Sequence, residues 1–225
     1  VLVFDSATSS DWSKFALGFN YRITKDFNDS FSSQGNSGVA TFTEFPLDNS
    51  SNPVEYNVAE EQFFNTAFNG EISELNIAFS AVHLNKLYIG ASFNAFDLNF
   101  SQRALLTEFN TDGNDNELEV DLYQENITSG TGFSLGAGFI YKLHPSFRIG
   151  LSYQTPTWYS EILQDKNRPE EFDDLGEVTY FQGNDIYTER EFYEGIIYQL
   201  KTPSKLTASA ALIFAKNGLI SLDYT

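Results

Sequence analysis

Residues 130–159 read GTGFSLGAGFIYKLHPSFRIGLSYQTPTWY, two long strands joined at a tight corner. Phe133, Leu135, Ala137, Phe139 and Tyr141 alternate with Gly132, Ser134, Gly136 and Gly138, and Phe147, Ile149, Leu151 and Tyr153 alternate with Arg148, Gly150, Ser152 and Gln154. A period of two puts each set on one face of a sheet. Cross-strand partners share a face, so two odd-numbered sets pair only across an odd number of loop residues, and Lys142 to Ser146, KLHPS, supply five. A soluble sandwich alternates too. Nine successive large or apolar positions opposite Gly, Ser, Arg and Gln fit lipid on one side and water on the other better.

Composition agrees with that reading. Of 225 residues 41% are hydrophobic and 16% aromatic, yet the mean hydropathy of -0.29 is that of a polar protein. No run of about 18 apolar residues exists, which excludes a transmembrane helix and leaves a closed barrel as the spanning alternative. The net charge of -18 argues against nucleic acid, whose phosphates it would repel, and fits acidic loops facing solvent. With no cysteine there are no disulfides, thiolate metal sites or cysteine nucleophile. The chain begins inside one apolar run, VLVF, and ends inside another, LISLDYT, so it reads as a piece of a longer protein.

Taken in order, Val1 to Phe4 end a strand, and Trp12 is placed as an interface aromatic. Phe15, Leu17, Phe19, Tyr21 and Ile23 form an apolar face, and the strand continues as DFNDSFSSQG. Residues 35–70 are expected to be a long loop carrying a helix-like segment, AEEQFFNTAF, with Phe64 and Phe68 one turn apart. Leu75, Ile77, Phe79 and Ala81, then Leu87, Ile89, Ala91 and Phe93, form the next hairpin around Asn85. Residues 110–129 and about 165–194 read as acidic loops. Leu206, Ala208, Ala210, Leu212 and Phe214 precede a turn at Lys216-Asn217-Gly218, after which Ile220, Leu222 and Tyr224 begin another strand. The expectation is about eight strands of one all-β, antiparallel transmembrane barrel domain over residues 1–225, with short turns at one end and long loops at the other.

TSGTGFSLGAGFIYKLHPSFRIGLSYQTPTWY, followed by LKTPSKLTASAALIFAKNGLISLDYT, resembles the middle of the long-chain fatty acid transporters of the outer membrane, in the versions found in Bacteroidota. The resemblance covers most of the strands and little of the loops. It implies a fourteen-stranded barrel in the outer membrane of a Gram-negative bacterium, in contact with lipid and lipopolysaccharide. It also implies an N-terminal hatch, lying upstream of Val1, and passive uptake of hydrophobic molecules such as fatty acids or aromatic hydrocarbons. In that family outer loops form a shallow hydrophobic groove, the role it implies for Phe63, Phe64 and Phe68; a small loop core is the alternative. Some Bacteroidota proteins resembling the family are instead subunits of a secretion apparatus, so an assembly partner with no uptake role is the second functional reading.

The inner ligand contacts follow from parity. An apolar band about 25 Å tall takes roughly ten residues of a strand tilted near 40°, so lipid contact along the strand from Leu87 ends near Ala95 or Phe96. Beyond it Phe96, Leu98 and Phe100 share the even parity of Tyr88, Gly90, Ser92 and Asn94. They face the lumen if no bulge intervenes, as a pocket for an acyl chain, with Ile140, Trp158 and Ile197 completing it. A β-bulge near Asn94 would turn them outward.

Other chemistries find little support. His83 and His144 sit at separate short turns, without the neighbours a hydrolase nucleophile needs, so no enzyme and no cofactor is expected. Haem capture finds neither Met nor a suitably placed His. Asp112 to Glu117 alternates carboxylates and amides but lacks the glycine and terminal glutamate of a calcium loop. Asn126-Ile127-Thr128 matches a glycosylation sequon that carries no weight in a bacterial protein.

Overall fold

A computed structural model describes residues 1–6, 10–163, 174–193, 198–214 and 218–225. Every regular element among them is a strand: β1 Leu2–Asp5, β2 Trp12–Asp26, β3 Asp29–Gly35, β4 Val58–His83, β5 Leu87–Thr111, β6 Glu117–His144, β7 Phe147–Gln154, β8 Trp158–Leu163, β9 Asp174–Gln182, β10 Asp185–Tyr193, β11 Tyr198–Lys201, β12 Lys205–Phe214 and β13 Gly218–Tyr224. They form a single antiparallel sheet whose path runs β1-β2-β4-β5-β6-β7-β12-β13. The eight strands of this path match the expected number. The remaining strands lengthen it. β7, β8 and β9 follow one another along the same edge of β6, with β12, β11 and β10 respectively paired beyond them. The sheet is open, with β1 and β13 at the ends of its path.

The alternating apolar set lies on one face. Leu75, Ile77, Phe79, Ile89, Phe133, Leu135, Phe139, Leu151, Leu212 and Ile220 are all exposed there. The pairs Phe79↔Ala91, Phe93↔Leu135, Phe139↔Leu151 and Leu212↔Ile220 carry that face across the sheet. The opposite face lines a hollow of about 700 Å³, walled by residues of β2, β4, β5, β6, β7, β12 and β13. We call it the inner face.

Three expectations need correction. Residues 59–68 are not helical: they begin β4, in register with β5 from Gln62↔Glu108 to His83↔Leu87. From Gln62 to Phe68 the segment is paired on both edges, by β3 and by β5, which an isolated two-turn helix cannot match, and tertiary pairing overrides the i, i+4 pattern. Residues 110–129 are not a loop, since only a short turn around Asp112 to Asn116 separates β5 from β6. Residues 165–194 hold the β9–β10 hairpin. Its Glu, Thr and Tyr side chains pair across strands as well as apolar ones do, as in Arg190 with Glu177 and Thr179 with Thr188.

Turn chemistry explains the corners. Leu84 and Asn85 take φ of 47° and 56°, and the Lys86 amide donates to the His83 carbonyl at 3.0 Å, the doubly left-handed turn suited to a twisted hairpin. The β6–β7 loop is tighter than the five residues expected. A register shift between Lys142 and His144 absorbs the surplus residue and keeps Tyr141 opposite Ile149. The turn expected at Lys216-Asn217 lies outside the described residues.

Candidate functional site

The inner face changes character along the strands. Beyond the rungs of Lys142 with Arg148 and of Tyr88 with Ile140 at the short turns, it is paved with small groups: Gly90, Gly138, Ser152 and Thr207 form one rung, and Ser92, Gly136 and Gln154 the next. Above them runs a ladder of neutral polar side chains. Asn76 donates to Asn94, Asn94 donates to the Ser134 hydroxyl at 3.0 Å, and Gln154 donates to the same oxygen at 3.2 Å. Asn94 and Ser134 are buried, so each amide and hydroxyl needs the partner it has. One rung higher Arg22 meets the buried Glu74 through Nε at 2.9 Å and Nη2 at 2.8 Å.

Beside Glu74 the face becomes aromatic. β5 and β6 stay in register without interruption from Leu87↔Tyr141 to Thr111↔Glu117, so no bulge intervenes at Asn94. Phe96, Leu98 and Phe100 therefore keep the face of Asn94, and Asp97 and Asn99 lie exposed on the other. Phe96 is paired with Gly132, which is paired with Tyr159. The buried Tyr159 ring lies over that glycine, where an added Cβ would sit 2.7 Å from Tyr159 Cδ1, and its centroid is 6.2 Å from that of Phe96. Phe100 also stands opposite a glycine, here one that the backbone approaches closely. Its partner Gly70 has φ +122°, and a Cβ there would lie 2.1 Å from the Asn99 carbonyl oxygen. The Phe27 ring, 5.3 Å from Phe100 in an edge-on contact, and Phe68, stacked at 6.2 Å, close around it. Phe64 lies further along the same face, 6.4 Å from Phe31.

The three loop phenylalanines thus separate. Phe64 and Phe68 join the inner band, whereas Phe63 is on the outer face against Phe109 at 6.1 Å. Trp158 is also on the outer face, contrary to expectation, paired with Phe133 at a ring distance of 5.3 Å. Thr155-Pro156-Thr157 interrupts the strand, and the pairing with β6 moves from Gly136↔Gln154 to Phe133↔Trp158, a shift of one residue that reverses the parity and brings Tyr159 inside instead. Ile140 does line the hollow, but in the rung of Tyr88 and Gly150, eight residues along β5 from Phe96. Ile197 lies outside the described residues.

Residues 36–57, between β3 and β4, fold back across the inner face at the end remote from the short turns. Glu108, fully buried, anchors them. It accepts from the Thr41 amide at 3.0 Å, the Thr41 hydroxyl at 2.8 Å, the Phe42 amide at 3.3 Å, Gln62 at 2.7 Å and Asn110 at 3.3 Å. Phe45, Tyr56, Leu118 and Val120 form a small core beneath, with Tyr180 and Tyr187 at its edge. Burial by itself would raise the Glu108 pKa, and the donors from Thr41, Gln62 and Asn110 outweigh it, so the carboxyl is held below the ordinary glutamate value. A depressed folded-state pKa contributes stability above the unfolded value and loses it as pH falls through the folded one. The strap is therefore expected to stay docked at neutral pH and to loosen only below the ordinary carboxylate range. Glu108→Ala should cost about 1–3 kcal/mol of that docking at neutral pH. Hydrogen exchange at the Thr41 and Phe42 amides measures it, and unchanged exchange in the variant would remove Glu108 as the anchor.

Sequence parity located Phe96, Leu98 and Phe100 but missed Tyr159, Phe27 and the Glu108 anchor. Tyr159 falls opposite Gly132 only through the shift in pairing after Gln154, and Phe27 lies just past the end of β2, so parity could place neither. The third depends on contacts some 67 residues apart along the chain. The candidate calcium run at Asp112 is an ordinary turn, with its carboxylate accepting from the Asn114 amide at 2.7 Å and from Asn116 Nδ2 at 2.7 Å. Comparisons with protein families, with curated proteins and with solved structures find no match to this chain.

Proposed function

We propose that the chain is wall of an outer-membrane uptake channel for hydrophobic small molecules. The observation that carries this reading is the opposition of the two faces. The outer face exposes a continuous apolar surface, far more than a water-soluble protein ordinarily leaves bare, while the same strands present Gly, Ser, Asn and Gln within. Aromatic residues stand at both limits of that surface, as Phe79, Phe139 and Tyr153 do within it. Trp12, Phe15 and Tyr141 stand near the short turns, and Phe93, Phe133 and Trp158 stand some eight residues along β5 and β6. Eight residues rise roughly 26 Å, or about 20 Å across a bilayer once tilted, close to the height of an outer-membrane apolar band. Above that limit the aromatic residues on the inner face offer a site for an apolar ligand.

A second reading, a barrel that serves as an assembly partner, is favoured by one observation. Phe63, Leu105 and Ile186 are exposed on the outer face beyond the apolar band, where lipid would not cover them. Paired substitutions separate the two. Phe64→Ser with Phe68→Ser should lower uptake of a hydrophobic substrate about tenfold while the protein still inserts, and Phe63→Ser should leave uptake unchanged. The reverse pattern, uptake intact in the double variant and a co-purifying partner lost in Phe63→Ser, would replace transport with assembly.

A further inference from the structure

The strap of residues 36–57 lies where the inner aromatic band runs out toward the remote end. Phe64 is the outermost ring of that band, and its rung continues in the apolar side chains Leu106, Leu122 and Val178. The next two rungs carry Val120 with Tyr180, and then Leu118. Over these the strap lays Phe45 and Tyr56. An apolar path therefore leads from Phe64 to the remote end of the sheet, and its last stretch is roofed. With the roof lifted, the small core and the band become one track for a hydrophobic molecule.

The fastening of the roof is local. The Thr41 amide and hydroxyl and the Phe42 amide all donate to the one carboxylate of Glu108. Single bonds add to it, from Asn110 to the Phe42 carbonyl at 2.9 Å, from Gln182 to the Tyr56 hydroxyl and from the Ser37 amide to Gln62. The strap holds Glu44, Asp48 and Glu55 and no basic residue, and among the described residues no ion pair involves it. Docking also has a cost. Asn110 Oδ1 is buried beside the strap with no hydrogen-bond partner, and water would meet it once the strap lifts. A segment held by one carboxylate and a four-residue core opens more readily than the strands beneath it. We propose that the strap is a lid on the inner face: docked on Glu108 it shuts the apolar path, and lifted it lets a hydrophobic molecule reach the band between Phe64 and Phe96. The inference rests on the uptake reading and adds control of entry to it.

Uptake of naphthalene by cells carrying the full-length protein in the outer membrane tests it. Thr41 Oγ1 and Gln62 Nε2 both bond Oε1 of Glu108, at 2.8 Å and 2.7 Å, so Thr41→Cys with Gln62→Cys sets two thiols close together and leaves Glu108 in place. Bridging them with a short bis-methanethiosulfonate should slow uptake at least about tenfold, and dithiothreitol should restore it, because the bridge removes the open state. Glu108→Ala should speed uptake about fivefold or more, since the docked state loses its hydrogen bonds. Equal uptake before and after bridging, with the bridge confirmed by mass, would overturn the lid, make the strap a fixed cap and leave uptake standing. Should the bridge not form, Glu108→Ala decides: unchanged or slower uptake, with the variant present in the membrane at the wild-type level, would overturn the lid as well. Wild-type cells that take up naphthalene no faster than cells lacking the protein would sink the uptake reading, and the inference with it.

Discussion

Phe96→Asp is expected to abolish binding of a hydrophobic ligand, by at least about a hundredfold in Kd, while leaving insertion and the outer face intact. The side chain is paired with the buried Glu74 on one strand and Gly132 on the other, and its ring is one wall of the contact with Tyr159. Truncation alone removes about 1.5–3 kcal/mol of apolar contact. The new carboxylate adds a like charge beside Glu74, in a place from which a ligand would have to exclude water. Asp97→Asn, one residue on and on the opposite face, should change nothing. Retained affinity in Phe96→Asp would show that the inner aromatic residues are not where a ligand rests.

The second large effect concerns the outer face. With the outer face in lipid as proposed, Leu135→Arg should cost roughly 2–4 kcal/mol of folding stability in a bilayer, because Leu135, exposed opposite Phe93, would then carry its cation where no water reaches. Ser80→Arg, on β4 with β5 between it and β6 but aimed at the hollow, should cost little, since its charge stays hydrated. Equal costs at the two sites would mean that the faces do not differ in what surrounds them.

The strands near residues 75–93 and 133–153 were readable from period two because large apolar side chains occupy one face and small or polar ones the other, and parity assigns each residue to its face. Parity then failed at one place for a definable reason. Thr155-Pro156-Thr157 removes a ladder donor, and the pairing resumes one residue out of phase, which exchanges the positions of Trp158 and Tyr159. The remote halves of β4, β5 and β6 were hidden by their composition. In ELEVDLYQEN the residues from Glu117 to Leu122 do alternate, with Leu118 and Val120 buried in the small core under the strap, but acidic partners such as Asp121 with Thr107 and Glu125 with Arg103 give the segment the composition of a loop. The strap of residues 36–57 could not be derived, because its docking is set by a carboxylate far away in the chain.

An outer face in lipid and an inner face in water would expose alternate residues of one strand to different solvents. Because the chain has no cysteine, single cysteines can be introduced in turn at residues 87–95 of the full-length protein in bilayers. A spin label at each site then reports collisions with a lipid-soluble and a water-soluble relaxing agent. Strict alternation is expected, with odd-numbered sites such as Ile89 and Phe93 open to the lipid-soluble agent and even-numbered sites such as Gly90 and Ser92 open to the water-soluble one. Odd-numbered sites shielded from both agents, as if packed beneath another layer of protein, would contradict it.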